Sequence, residues 1–154
     1  MTPGINTAKK AKIFFQVHEY THEASNRSYG AEAAEKLGVV EERVFKTLVI
    51  SLDRKALAVG VIPVSSKLSM KLIAKAMGAK KAEMAEAADV ERSTGYVLGG
   101  VSPLGQKRKL KTLIHSSAQQ HATIFISAGR RGLEIELKPQ DLERLVNGIF
   151  AEIC

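Results

Sequence analysis

The sequence predicts one α+β domain in which helices pack on a mixed sheet. Three observations carry that reading. Val44 to Leu52 and Ala56 to Val64 are strand-like runs separated only by the polar turn Asp53-Arg54-Lys55, which is hairpin spacing and makes at least one strand pair antiparallel. Helical and extended patterns are interspersed without strict alternation, which disfavours a doubly wound parallel sheet. The chain of 154 residues, 45% hydrophobic, has no repeat, low-complexity segment or Pro/Gly-rich linker, so residues 1–154 read as one unit able to bury a core.

In order, Thr7 can cap a first helix to about Val17, with Ala11, Phe14 and Phe15 on its apolar side. An extended stretch follows around Tyr20. A second helix, about Gly30 to Leu37, ends at Gly38, which suits a left-handed cap. After the hairpin, Ser69 caps a helix through Met77, closed by Gly78. A helical turn over Ala87 to Arg92 leads to a strand near Tyr96 to Leu98. Beyond the loop Gly99 to Lys109, strands are expected at Lys111 to His115, Thr123 to Ser127 and Leu133 to Leu137. Pro139 opens the last helix, whose stripe of Leu142, Leu145, Val146, Ile149 and Phe150 reads as core.

Composition narrows the partners. No apolar run approaches the ~18 residues of a membrane span, and the N-terminus lacks the apolar stretch of a signal peptide, so no membrane partner is expected. The only cysteine, Cys154, is the last residue; no intrachain disulfide is possible, which points to an intracellular, cytoplasmic home, and a frayed chain end makes a poor nucleophile. The formal net charge of +7 favours a polyanion. Lys67, Lys71 and Lys75 recur along one expected helix face, Lys107, Arg108, Lys109 and Lys111 crowd one loop, and Arg130 and Arg131 sit in another. Together they lean toward nucleic acid, while the lack of a recognition helix, zinc finger or aromatic RNA-binding signature argues against sequence-specific DNA.

Two motifs tempt and fail. His18-Glu19-Tyr20-Thr21-His22 matches a zinc-protease pattern, but Tyr20, Thr21 and the polar run after them favour extended chain. Four residues of strand span roughly 13 Å, too far for two bonds to one zinc. Gly100 to Gln106 approaches a phosphate loop but carries Gln106 where lysine belongs.

Three segments say more together than apart. Val44-Phe-Lys46-Thr-Leu-Val-Ile50 places a lysine on an apolar strand face, where it either snorkels to the edge or stands at the rim of a pocket. Thr94-Gly-Tyr-Val-Leu-Gly99-Gly100-Val-Ser102-Pro103 ends in a double glycine that is either turn chemistry or an approach to backbone N–H groups. Ile126-Ser127-Ala-Gly129-Arg130-Arg-Gly132-Leu-Glu134-Ile-Glu-Leu is a strand–loop–strand with a basic tip.

As a set, in this order and over nearly the whole chain, they resemble the YbaK/EbsC family of aminoacyl-tRNA deacylases, related to the editing domain inserted in bacterial prolyl-tRNA synthetases. The similarity is greatest to the branch acting on cysteinyl-tRNA(Pro). The resemblance implies a mixed, mostly antiparallel central sheet surrounded by helices, with the site in a cleft. Carried over by position, it implies functional roles for Tyr20, Lys46, Gly99, Ser127 and Glu134, with Gly100, Ser102 and Pro103 shaping the loop. Gly129 and Arg130 at the basic tip, and Lys71 and Lys75, are assigned to substrate binding. The branch carries aspartate where this chain has Glu134. Lys46 is expected to hold the terminal phosphate or adenosine region, and N–H groups near Gly99 and Gly100 the carbonyl oxygen. The resemblance also implies attack by the substrate's own thiol, no metal, no organic cofactor, and the substrates Cys-tRNA(Pro) and Cys-tRNA(Cys). Transient association with prolyl-tRNA synthetase is a further expectation. An inactive tRNA- or synthetase-binding module, or a deacylase for another amino acid such as alanine, are the competing readings.

Overall fold

The computed structural model describes residues 1–25 and 29–154. Its elements run α1 (Pro3–Ala11), β1 (Phe15–Glu19), α2 (Tyr29–Leu37), β2 (Phe45–Leu52), β3 (Ala56–Pro63), α3 (Met70–Ala76) and β4 (Ala82–Met84). Then follow α4 (Ala87–Thr94), β5 (Lys111–His115), β6 (Ile124–Arg130), β7 (Leu133–Leu137), α5 (Pro139–Val146) and β8 (Ile149–Ala151). The fold is the expected mixed, mostly antiparallel one: β1–β7, β6–β7, β2–β3 and β2–β4 pair antiparallel, β3–β5 and β5–β8 parallel. The strands divide between two sheets, ordered β1-β7-β6 and β4-β2-β3-β5-β8. A bridge between Val44 and Phe125 joins them.

The hairpin is the best-specified element. Phe45 faces Pro63 and Leu52 faces Ala56, and Asp53 and Arg54 both have positive φ (51° and 55°), the geometry of a type I′ turn. Non-glycine residues rarely adopt it. Here the Asp53 carboxylate accepts from the N–H groups of Lys80 and Lys81, anchoring the turn and holding its acid below the usual carboxylate range. Along β2 the pleat sends Phe45 and Val49 to one side, and Leu48 and Ile50 into a cluster with Ile62, Ile73 and Ile153 on the other.

Several expectations are corrected. The first helix begins earlier, capped by Thr2, whose hydroxyl accepts from the Ile5 N–H, and it ends at Lys12 in a left-handed conformation. Phe14, 71% exposed, and Phe15 therefore leave the helix, because Phe15 and Val17 pair with Leu137 and Ile135 of β7. No strand forms at Tyr96–Leu98. Gly95 stops α4, and the chain doubles back so that the Lys107 and Arg108 N–H groups reach the carbonyls of Thr94 and Ser93. The last helix stops at Asn147 (φ 50°) and Gly148; Ile149 and Phe150 then run beside β5 as a strand, and Ile149 is 53% exposed rather than core. Asn-Gly is a helix stop that the helical periodicity of the stripe masked. The short β4 is new. Lys67 precedes the Ser69 cap, so only Lys71 and Lys75 ride on α3. The chain end is not frayed: Ile153 is fully buried and its carbonyl accepts from the Ser69 N–H. Of the polar run after Thr21, residues 26–28 lie outside the described residues.

Candidate active site

A cavity of about 380 Å³ opens where the two sheets meet. β2 contributes Lys46 and Thr47, β6 and β7 contribute Ser127 and Glu134, Tyr20 follows β1, and Tyr29 belongs to α2. Leu98, Gly99, Arg130 and Arg131 form its mouth. The alternation in Leu133-Glu134-Ile135-Glu136-Leu137 explains one wall: the odd residues are buried in the main core, and Glu134 pairs across the ladder with Ser127 on the opposite face.

The cavity thus gathers Tyr20, Lys46, Gly99, Ser127, Arg130 and Glu134 of the residues expected from sequence, and four others stand behind it. Gly100 does not line it. Its N–H is committed to the Val97 carbonyl at 3.0 Å, so it cannot hold a carbonyl oxygen; a Cβ there would lie 2.9 Å from the Arg130 backbone, so glycine permits close packing. The Gly99 N–H donates to no backbone carbonyl among the described residues. Ser102 is fully buried, and its hydroxyl accepts from the Leu104 N–H, fixing the loop from within; Pro103 is buried beside it. Gly129 donates its N–H to the Ser127 hydroxyl at 3.1 Å, which leaves that hydroxyl's proton for a ligand. Lys71 and Lys75 are exposed on α3, away from the cavity lining.

Sequence reasoning missed Tyr29, Thr47 and Leu98. Arg131, noticed only as charge, stacks over the Tyr29 ring at 4.0 Å and donates to the Leu98 carbonyl, tying the mouth together. The Thr47 hydroxyl is buried with no hydrogen-bond partner among the described residues, an orphan on the cavity wall that spacing alone does not reveal.

Electrostatics sort the polar groups. Lys46 lines the cavity and forms no ion pair among the described residues. Burial pushes the Tyr20 phenol up to about 12, with the Glu134 charge acting in the same direction, so it remains a hydrogen-bond donor at neutral pH. Burial alone pushes the Glu134 carboxyl up to about 8; it is 7% exposed and has no hydrogen-bond partner among the described residues. Near neutral pH the Glu134 carboxyl is therefore held largely in its neutral form. His18 and His22 serve other ends: His18 Nε2 lies 2.9 Å from Glu136, and His22 Nδ1 lies 2.6 Å from the buried Glu32.

A stability test follows from Glu134. Its folded value of about 8 exceeds the ordinary 4.5, so the folded state holds the extra proton and stability falls as pH rises through that window. The slope should reach about 1.4 kcal/mol per pH unit. Glu134→Gln keeps shape and neutrality and should remove that contribution. Urea unfolding of both proteins at pH 5 to 8 measures it, and identical pH slopes would refute the buried neutral acid.

Fold and cavity define the class: an α+β domain with a small-molecule-sized cleft that presents Lys46 with two arginines at its mouth, two phenols, two hydroxyls and a buried acid. The chain belongs to the aminoacyl-tRNA editing domain family, whose model matches residues 24–145. It is 40% identical over 152 residues to EbsC of Enterococcus faecalis, described as a candidate Cys-tRNA(Pro)/Cys-tRNA(Cys) deacylase, covering 99% of this chain and 92% of that protein. It is 27% identical over 124 residues to the uncharacterized YwhH of Bacillus subtilis, covering 80% and 78% of the two chains. The crystal structure of a candidate trans-editing enzyme for prolyl-tRNA synthetase superposes with a TM-score of 0.84 at 20% identity, covering 99% of this chain and 98% of the other, which fixes the shared fold.

Proposed function

We propose that this chain is an aminoacyl-tRNA deacylase that removes cysteine from tRNA(Pro) and tRNA(Cys). Membership of the editing family and the description of EbsC support the reaction and the cysteine assignment. The observation that carries the mechanism is a cavity with binding groups but no activated nucleophile among the described residues. The Cys154 thiol is no substitute: it packs beside α3, and burial pushes its pKa up, with Glu152 adding to this and Lys46 and Ser66 opposing it.

In this reading Lys46 binds the terminal phosphate or adenosine region as a point charge. The Gly99 N–H stabilises the carbonyl oxygen as charge develops on it. Tyr20 and Ser127 orient the ribose. Glu134 pairs with the substrate amino group, its proton passing to the amine so that a carboxylate–ammonium pair forms. The substrate sulfur loses its proton and attacks the carbonyl carbon, the C–O ester bond breaks, the ribose oxygen takes a proton, and a cyclic thiolactone leaves. Substrate alignment, not a protein nucleophile, supplies the acceleration.

Purified protein incubated with Cys-tRNA(Pro), Ala-tRNA(Pro) and Pro-tRNA(Pro) tests this. Cleavage of the cysteinyl substrate alone is expected. Faster loss of alanine would change the substrate, and no cleavage with retained tRNA binding would leave a binding module. Replacing Lys71 and Lys75 by glutamate should weaken tRNA binding several-fold and lower its salt dependence, with amino-acid preference unchanged, because phosphate contacts position without carrying side-chain information. An unchanged salt slope would remove α3 from the tRNA path. A tRNA substrate supports a cytoplasmic location. Transient association with prolyl-tRNA synthetase would enlarge the tRNA-binding surface, and equal rates with and without added synthetase would exclude it.

A further inference from the structure

A concentration of positive charge lies away from the cavity. A groove of about 450 Å³ separates the β2–β3 turn from the segment entering β5, with Arg54 and Lys55 on one wall and Arg108, Lys109 and Lys111 on the other. All five are exposed. Arg54 pairs with Glu83 and the groove's Asp89 with Arg92, but Lys55, Arg108, Lys109 and Lys111 form no ion pair among the described residues. Like charges packed this closely repel and add nothing to the core.

Both walls are built rather than loose. The Lys80 and Lys81 N–H groups clamp the turn through Asp53, and the Lys107 and Arg108 N–H groups tie the other wall to the end of α4. The groove also shares its support with the cavity. The segment after α4 gives Leu98 and Gly99 to the cavity mouth and Arg108 to Leu110 to the groove. Beneath it, β2 offers Thr47 to one and Ser51 to the other, on the same face, about 13 Å apart along the strand.

We propose that this groove binds phosphates of the tRNA acceptor arm, a few nucleotides upstream of the ester held in the cavity. Fixed cations on two walls suit a linear polyanion whose phosphates follow one another along the strand. The inference rests on the deacylase reading, because that reading supplies an RNA end in the cavity.

The double substitution Arg108→Glu with Lys109→Glu tests it, checked for folding by its thermal melt. Wild type and variant are compared in tRNA(Pro) binding across salt concentrations and in cleavage of two esters: Cys-tRNA(Pro) and 3′-O-cysteinyl-adenosine, which is too short to reach the groove. The variant should bind tRNA at least about tenfold more weakly, and its slope of log affinity against log salt should fall by about 1.5. Its kcat/KM should fall in parallel for the tRNA and stay unchanged for the adenosine ester. Unaltered tRNA affinity and slope would overturn the proposal, as would equal losses on both esters. Lys55→Glu with Lys111→Glu provides a second pair should the first fail to fold. If wild type cleaves neither ester, the deacylase reading fails, while the binding comparison still decides for or against the groove.

Discussion

Lys46→Ala should lower kcat/KM for Cys-tRNA(Pro) on the order of a hundredfold, about 2.7 kcal/mol of transition-state stabilisation, while the protein stays folded. Lys46 is half-buried at the cavity rim and forms no ion pair among the described residues, so its removal breaks no internal salt bridge. The stability change should remain within about 1 kcal/mol. The loss instead falls on the substrate, whose phosphate or adenosine region would lose its only cation from β2. Lys46→Arg restores the charge with a different fork geometry and should recover part of the activity. Steady-state kinetics with a thermal melt of each variant checks this, and wild-type rates in a folded Lys46→Ala protein would refute the role.

Replacing the substrate thiol should matter as much as replacing the lysine. Ser-tRNA(Pro) differs from Cys-tRNA(Pro) by oxygen for sulfur, yet a thiol near pH 7 is a few per cent thiolate and strongly nucleophilic, whereas a hydroxyl is neither. Cleavage of the seryl ester should be slower by about a hundredfold or more, and the cysteinyl product should be a thiolactone by mass. Cys154→Ser should be fully active, since that thiol is not a lining residue of the cavity. Equal rates on the two esters would mean that water or a protein group attacks. The groups placed to hold such a water are the Gly99 N–H, Tyr20, Ser127 and Glu134.

Much of this site is legible in sequence because strand alternation is a strong rule. Lys46 interrupts an apolar strand face within Val44 to Ile50, whereas Glu134, on the polar face of the alternating Leu133 to Leu137, stands out only through the family resemblance; both line the cavity. The hairpin is equally plain, its three-residue polar turn bounded by two long apolar runs. What stayed hidden depends on distant partners. Phe14 and Phe15 have helical spacing from Ala11, but β7, encoded at the other end of the chain, makes Phe15 a strand residue. Ile149 and Phe150 extend the stripe of α5 and become a strand because β5 offers an open edge beyond the Asn147-Gly148 stop. Gly99 and Gly100 look interchangeable as letters. Only the turn that spends the Gly100 N–H on Val97 separates it from the Gly99 N–H, which donates to no backbone carbonyl among the described residues. Thr47 and Tyr29 carry no signal of their own, since a threonine in a strand and a tyrosine opening a helix are ordinary residues until a cavity forms beside them.

The pairing of β1 with β7 also sets an order of events during synthesis. Tyr20 leaves the ribosome early, but the strand before it has its partner at Leu133–Leu137, about 115 residues later, and Glu134 lies in that partner. At roughly 5 to 20 residues per second, the N-terminal strand waits on the order of 10 s with an unpaired edge. The β2–β3 hairpin, with Lys46 at its base, can close within microseconds of its emergence. Activity should therefore appear late and abruptly on a nascent chain, after the cation is in place and only when the acid arrives.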